Sequence, residues 1–160
     1  MSTRNFLVLI LIIASIYIKD RSSSIVLDTQ DTILHKAIQD YLDNEMHQAR
    51  DGGKIFSSYI IHGTRKKEIY LTIFMQEYIK KGDELKTDYG LLTELVLIAE
   101  KTNSGLIITD YKRPQDGVDY GKDIKKWFTK EALKNLRETK NFKNLEGEAD
   151  KRAKEWFNID

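Results

Sequence analysis

The chain has 160 residues, no cysteine, one proline, and 26 basic against 25 acidic side chains, for a net charge of +1. That length supports one packed domain, and the missing cysteine excludes disulfides, thiolate metal sites, thiol catalysis and a lipid-modified cysteine. Hydrophobic residues at 41% and charged ones at 32% describe a folded chain, with no global charge to draw it toward nucleic acid.

Phe6 to Ile18 is thirteen residues without a charge, apolar on every side, whereas a core helix would keep a polar face. As a helix it rises about 20 Å, short of the roughly 30 Å hydrocarbon slab. Counting from Ser2 makes seventeen, the low end for spanning, with Arg4 able to snorkel to the headgroups. An uncleaved N-terminal anchor is the leading expectation. A cleaved signal peptide is the alternative, with Ser22-Ser23-Ser24 the nearest small-residue run and no Ala-x-Ala. Both place the remainder outside, because the short basic end stays inside. The expected organisation is an anchor or signal segment over 1–20, a tether over 21–30 and an extracytoplasmic α+β domain over 31–160.

Asp31 to Arg50 predicts a helix. Leu34, Ile38, Leu42 and Met46 step by four, Ala37, Tyr41 and Ala49 widen the stripe, and Asp40, Asp43 and Asn44 fall on the wet side. Asp28, Thr29 and Asp31 offer N-caps, and Gly52-Gly53 offers a stop. Four strand-like runs follow: Lys54 to His62, Glu68 to Ile79, about Leu92 to Lys101, and Leu106 to Lys112. Their short polar connections predict an antiparallel meander, so the domain reads as a cystatin-like sheet wrapping one helix.

In the second run Ile69, Leu71, Ile73 and Met75 alternate with Tyr70, Thr72, Phe74, Gln76 and Tyr78. The aliphatic row suits the long helix. The mixed row, with Val96, Ile98, Ile107 and Tyr111 from the later strands, predicts a second face that needs its own cover. Helices expected over Lys122 to Phe128, Thr129 to Thr139 and Leu145 to Phe157 could supply it, or could pack on a partner. Thr129 is an expected N-cap, and the last helix carries the stripe Leu145, Ala149, Ala153, Trp156 and Phe157.

Candidate chemistry is sparse. His35 and His47 would lie about 120° apart around a helix and roughly 18 Å along it, too far to share a metal. His62 ends a strand alone, no His-Glu-x-x-His occurs, and no carboxylate spacing picks out a glycosidase-like pair. No catalytic residue, metal site or cofactor is therefore assigned. Arg113-Pro114-Gln115-Asp116-Gly117 predicts a type I or II turn with Pro114 second, and Asp116 and Asp119 read as turn-forming and capping residues. Lys122 to Lys143 is basic around Trp127-Phe128, which reads as the solvated side of surface helices; contact with an anionic bilayer or wall polymer is the alternative, and nucleic acid is not expected.

Tyr111-Lys112-Arg113-Pro114-Gln115-Asp116-Gly117, then Tyr120, then Asp123-Ile124-Lys125-Lys126-Trp127-Phe128, resembles the extracytoplasmic C-terminal domain of some Firmicute homologues of the β-lactam-sensing transmembrane metallopeptidases. The similarity spans Phe56 to Phe157, and Thr129 stands where that family tends to have proline. The zinc motif and multiple spans of the peptidase are not in this sequence, and neither is Ser-x-x-Lys, so the resemblance implies a shared outer module and no proteolysis. Tyr111, Arg113, Asp116, Tyr120 and Trp127 are the binding candidates it leaves. The expected function is a membrane-tethered binding or sensing module whose partner is an envelope protein or a wall or membrane component. The alternatives are a small hydrolase or lyase using the helix–sheet cone, and an immunity or inhibitor protein.

Overall fold

The computed structural model describes residues 27–50, 52–139 and 142–159. The apolar stretch at Phe6 to Ile18 lies outside them. Among the described residues, no helix is long and apolar enough to cross a membrane. The elements run α1 (Thr32–Asn44), β1 (Gly53–Arg65), β2 (Glu68–Lys81), β3 (Glu84–Thr102), β4 (Gly105–Lys112), α2 (Tyr120–Trp127), α3 (Lys130–Glu138) and α4 (Lys143–Phe157). The strands form one open antiparallel sheet in the order β1-β2-β3-β4, so the chain is an α+β protein with a meander.

α1 begins where Asp31 accepts the N–H of Ile33, and it buries Leu34, Ile38 and Leu42 against the sheet. Opposite them lie Ile55, Ile69, Leu71, Ile73, Met75, Leu95, Leu97, Ala99 and Ile108, with Leu27 closing the cluster. α1 touches both edge strands, β1 and β4. The helix stops at Asn44, a turn and a half short of Arg50. Residues beyond it are drawn toward the sheet by Glu77, whose buried carboxylate accepts the Arg50 N–H. A Cβ at Gly53 would meet the same carboxylate and force it to shift.

The second face is covered by the chain's own helices. Tyr70 and Val96 pack under Ile124, Phe128 and Ala132; Phe56 and Tyr78 pack under Ala149 and Ala153. Tyr78 donates its hydroxyl to Asp150 at 2.6 Å, and Ser58 donates to the Leu145 carbonyl at 2.6 Å, which pins α4 in place. Thr129 caps α3 by accepting the Ala132 N–H, as the sequence predicts.

Three bulges separate this sheet from the strictly alternating one. In β3 the pairs Gln76–Gly90 and Tyr78–Thr87 leave two residues against one, so the strand runs through Gly90 to a two-residue turn at Gly82-Asp83, where Gly82 has φ +65. In β4 Thr109 is the extra residue. It turns Tyr111 away from the second face to the α1 side, beside Tyr41, and leaves Ile107 half exposed in no cluster. In β1 the extra residue is His62. Trp156 also leaves its expected stripe: it is 61% exposed and lies under the Lys54 ammonium, 4.2 Å from the ring.

Asp43 corrects the wet-side expectation most clearly, because its side chain is only 9% exposed. One carboxylate oxygen accepts the Ser57 N–H at 2.8 Å and hydroxyl at 2.6 Å, and the other meets Arg152 at 2.5 Å. Arg152 also donates to the Ser57 carbonyl, as Gln39 does. The outer edge of β1 is thereby hydrogen-bonded by helices from both faces, with Arg152 lying 5.6 Å from the Phe56 ring centre. Asp43→Ala leaves Arg152 and the Ser57 donors without their acceptor, and is expected to cost about 3 kcal/mol in urea unfolding. A double-mutant cycle with Arg152→Ala should return a coupling of about 1–3 kcal/mol.

Candidate functional site

A polar concavity lies beside the β1 bulge. It has a volume of about 410 Å³ and is lined by Leu27, Thr29, His62, Gly63, Thr129, Glu131 and Asn135, among others. The bulge turns His62 to the second face, where its Nε2 meets the Thr72 hydroxyl at 2.8 Å. Asn135 reaches down from α3 and donates to the His62 carbonyl at 2.7 Å. Glu94 stands across from Thr72 on β3. His62, Thr72 and Glu94 thus belong to a polar row between the two apolar clusters of this face.

Burial governs the charge of that row. It pushes the His62 imidazole down to about 4, so the ring is neutral near pH 7. It pushes the Glu94 carboxyl above its ordinary value. A neutral imidazole without a carboxylate partner can give and accept hydrogen bonds, but it lacks the orienting third group of a nucleophile-activating triad. Among the described residues no group of three metal-ligating side chains exists.

His35 occupies a separate position. Its Nε2 lies 2.9 Å from the Thr29 carbonyl and its Nδ1 lies 2.8 Å from the Tyr59 hydroxyl, and its ring stacks on Tyr59. Because a carbonyl only accepts, Nε2 carries a proton. His35 and Tyr59 border a second hollow of about 280 Å³ with Gln39, Ser57, Glu148 and Arg152, whose polar groups hold the β1 edge.

The five binding candidates are not brought together. Tyr111 faces the α1 side, whereas Tyr120 and Trp127 pack against the cluster under α2. Arg113 and Asp116 pair with each other on the surface at 3.1 Å. Pro114 is buried, and the hydrogen-bonded turn falls later than expected, where Tyr120 donates to the Gly117 carbonyl at 3.3 Å. Asp123 accepts the Gln115 N–H, so this segment is held by its own side chains. Lys122, Lys125, Lys126, Lys130, Lys134 and Arg137 are all exposed, on the outer side of α2 and α3.

Sequence pattern alone marks His62 only as a strand end. The bulge that gives it neighbours is visible in the pairing register and not in the residue order. Compared with known proteins, the chain matches no family model, no curated protein and no solved structure.

The lowered His62 pKa has a sign. The unfolded imidazole takes a proton near 6.5 and the folded one only near 4, so stability is full above pH 6.5 and declines as pH falls toward 4. This site should contribute roughly 2–3 kcal/mol to that decline. His62→Gln, compared with the parent chain by urea unfolding at several pH values, should flatten the slope in this window. Glu94 works in the opposite sense, losing stability as pH rises through the carboxylate range, which is why the difference between the two chains is the quantity to measure.

Proposed function

We propose that the chain is a membrane-tethered, extracytoplasmic module that binds or senses a component of the cell envelope and performs no chemistry. The observation that carries this reading is the filled interior. The space between α1 and the sheet is packed with Leu34, Ile38, Leu42, Ile73, Leu95 and their neighbours, so the cone that a small hydrolase or lyase would use has no room for substrate. The second face is closed by α2, α3 and α4. The hollow beside His62 stays open and is lined mainly by polar groups, a character suited to recognition. In finer terms the fold is a cystatin-like sheet curled around one helix, and the resemblance at Tyr111 to Phe128 is taken as a shared outer module. The Phe6 to Ile18 stretch is its anchor, with the folded domain outside a single-pass membrane segment, or secreted if the leader is cut.

One observation favours a second reading. His62, with its strongly lowered pKa, lies in a concavity rather than in the dry core, so a hydrolase or lyase would have to work there. His62→Gln is the discriminating variant: loss of a measured turnover in that chain would overturn the non-catalytic reading. An immunity or inhibitor role would appear as a soluble protein captured from culture medium.

In-cell crosslinking with mass spectrometry tests the main proposal. The expected outcome is an intact N-terminal peptide in the membrane fraction, with crosslinks from the domain to envelope components. Recovery of the full chain free in the cytosol would reject it.

A further inference from the structure

The described chain begins at Leu27, whose carbonyl accepts the Thr64 hydroxyl at 3.0 Å and whose side chain is buried in the core. The tether therefore joins the domain at a fixed place, one residue from the β1–β2 hairpin tip. That tip is Arg65-Lys66-Lys67, with all three residues exposed and Lys66 at φ 54. Arg65 pairs with Glu68 across the strands, and Glu68 is level with Ile98 of β3. The β3–β4 hairpin continues past this level to Lys101 and its Asn103-Ser104 turn, so both hairpins project from the same end of the sheet.

The cations at this end are unevenly paired. Lys67 meets Glu100 at 3.3 Å and Lys112 meets Glu68 at 2.9 Å. Among the described residues, Arg65, Lys66 and Lys101 form no ion pair. A hollow of about 520 Å³ opens behind the tip, lined by Arg65, Lys66, Lys67 and Lys112, with Glu68 and Asp110 as its acidic residues and Ile98 between. Residues 19–26 separate Leu27 from the apolar stretch and reach at most about 27 Å when fully extended. A domain held so closely by this end meets the membrane with that end, and its three unpaired cations, first.

We propose that the Arg65-Lys66-Lys67 tip, with Lys112 behind it and Lys101 on the neighbouring hairpin, docks on anionic lipid headgroups of the membrane that holds the leader. The inference rests on the tethered reading above and adds an orientation to it. The domain then stands with its α1–β1 loop and the Gly82-Asp83 turn pointing away from the bilayer, and the His62 concavity close to it. Docking of this kind weakens with salt, because the attraction acts over about a Debye length.

The absence of cysteine makes the test direct. The full chain carrying Ser104→Cys or Asp83→Cys, each labelled with a nitroxide, is placed in nanodiscs of phosphatidylcholine with or without phosphatidylglycerol, with nickel chelated on a fraction of headgroups. Power-saturation spectra then report how near each label lies to the surface. Stronger nickel relaxation at position 104 than at 83 is expected in anionic discs, falling by roughly half or more with added salt or in phosphatidylcholine alone. Combined Arg65→Glu, Lys66→Glu and Lys67→Glu should reproduce that fall while the chain stays in the discs. Equal relaxation at the two positions, or a difference indifferent to salt and lipid charge, overturns the orientation and leaves the tether intact. Failure of the chain to enter the discs overturns both.

Discussion

The Asp43 carboxylate, held between the backbone of Ser57 and the guanidinium of Arg152, is the contact on which the layering of this protein depends. α1 and α4 lie on opposite faces of the sheet and meet only around its β1 edge. A free edge strand presents unpaired N–H and C=O groups that invite another chain. Here Asp43 takes the Ser57 N–H, while Arg152 and Gln39 take its carbonyl. The carboxylate is largely withdrawn from water, so removing its partner leaves a buried charge unpaired. The same contact closes an edge and clamps two helices.

The opposite edge is treated differently. β4 pairs only with β3 among the described strands, and there Asp110 accepts the N–H of Tyr111 at 2.8 Å. Exposed Thr109 and Asp110 break what would otherwise be an apolar edge, since charges and bulges discourage strand addition. The Thr109 bulge has a second effect, because it redistributes the apolar groups of β4: Ile108 fills the core under α1, and Tyr111 follows it to that side.

The His62 bulge works in the same way at the other edge. It brings an imidazole onto a face that is otherwise aromatic and aliphatic, and divides that face into two clusters with a polar row between them. Under α2 and α3 the packing partner is Tyr70, whose ring centre lies 5.2 Å from that of Phe128; under α4 it is Phe56 and Tyr78. Separate covers explain why the chain needs three short C-terminal helices and not one long one. A polar hollow on this face follows the line where the first cover meets β1 and the incoming chain.

The residue order by itself determined what depends on local repetition. Steps of four at Leu34, Ile38 and Leu42 made a one-sided helix, alternation from Ile69 to Tyr78 made a two-faced strand, and short polar turns made a meander. The Thr129 cap and the helical character of the C-terminal third were legible for the same reason. Tertiary structure alone decided where Asp43 points, since its partner Arg152 is 109 residues away and an acidic residue on a helix looks solvated until something covers it. It also decided the bulges, which insert a residue without altering composition and so moved Tyr111 and His62 against simple alternation. It also decided that Trp156 leaves its expected stripe and that Tyr111 faces away from Tyr120 and Trp127, because proximity in sequence does not carry direction. Local pattern chooses elements through backbone and burial periodicity. Which elements share a charge, an edge or a hollow is set by packing between distant segments, and no period in the chain encodes that.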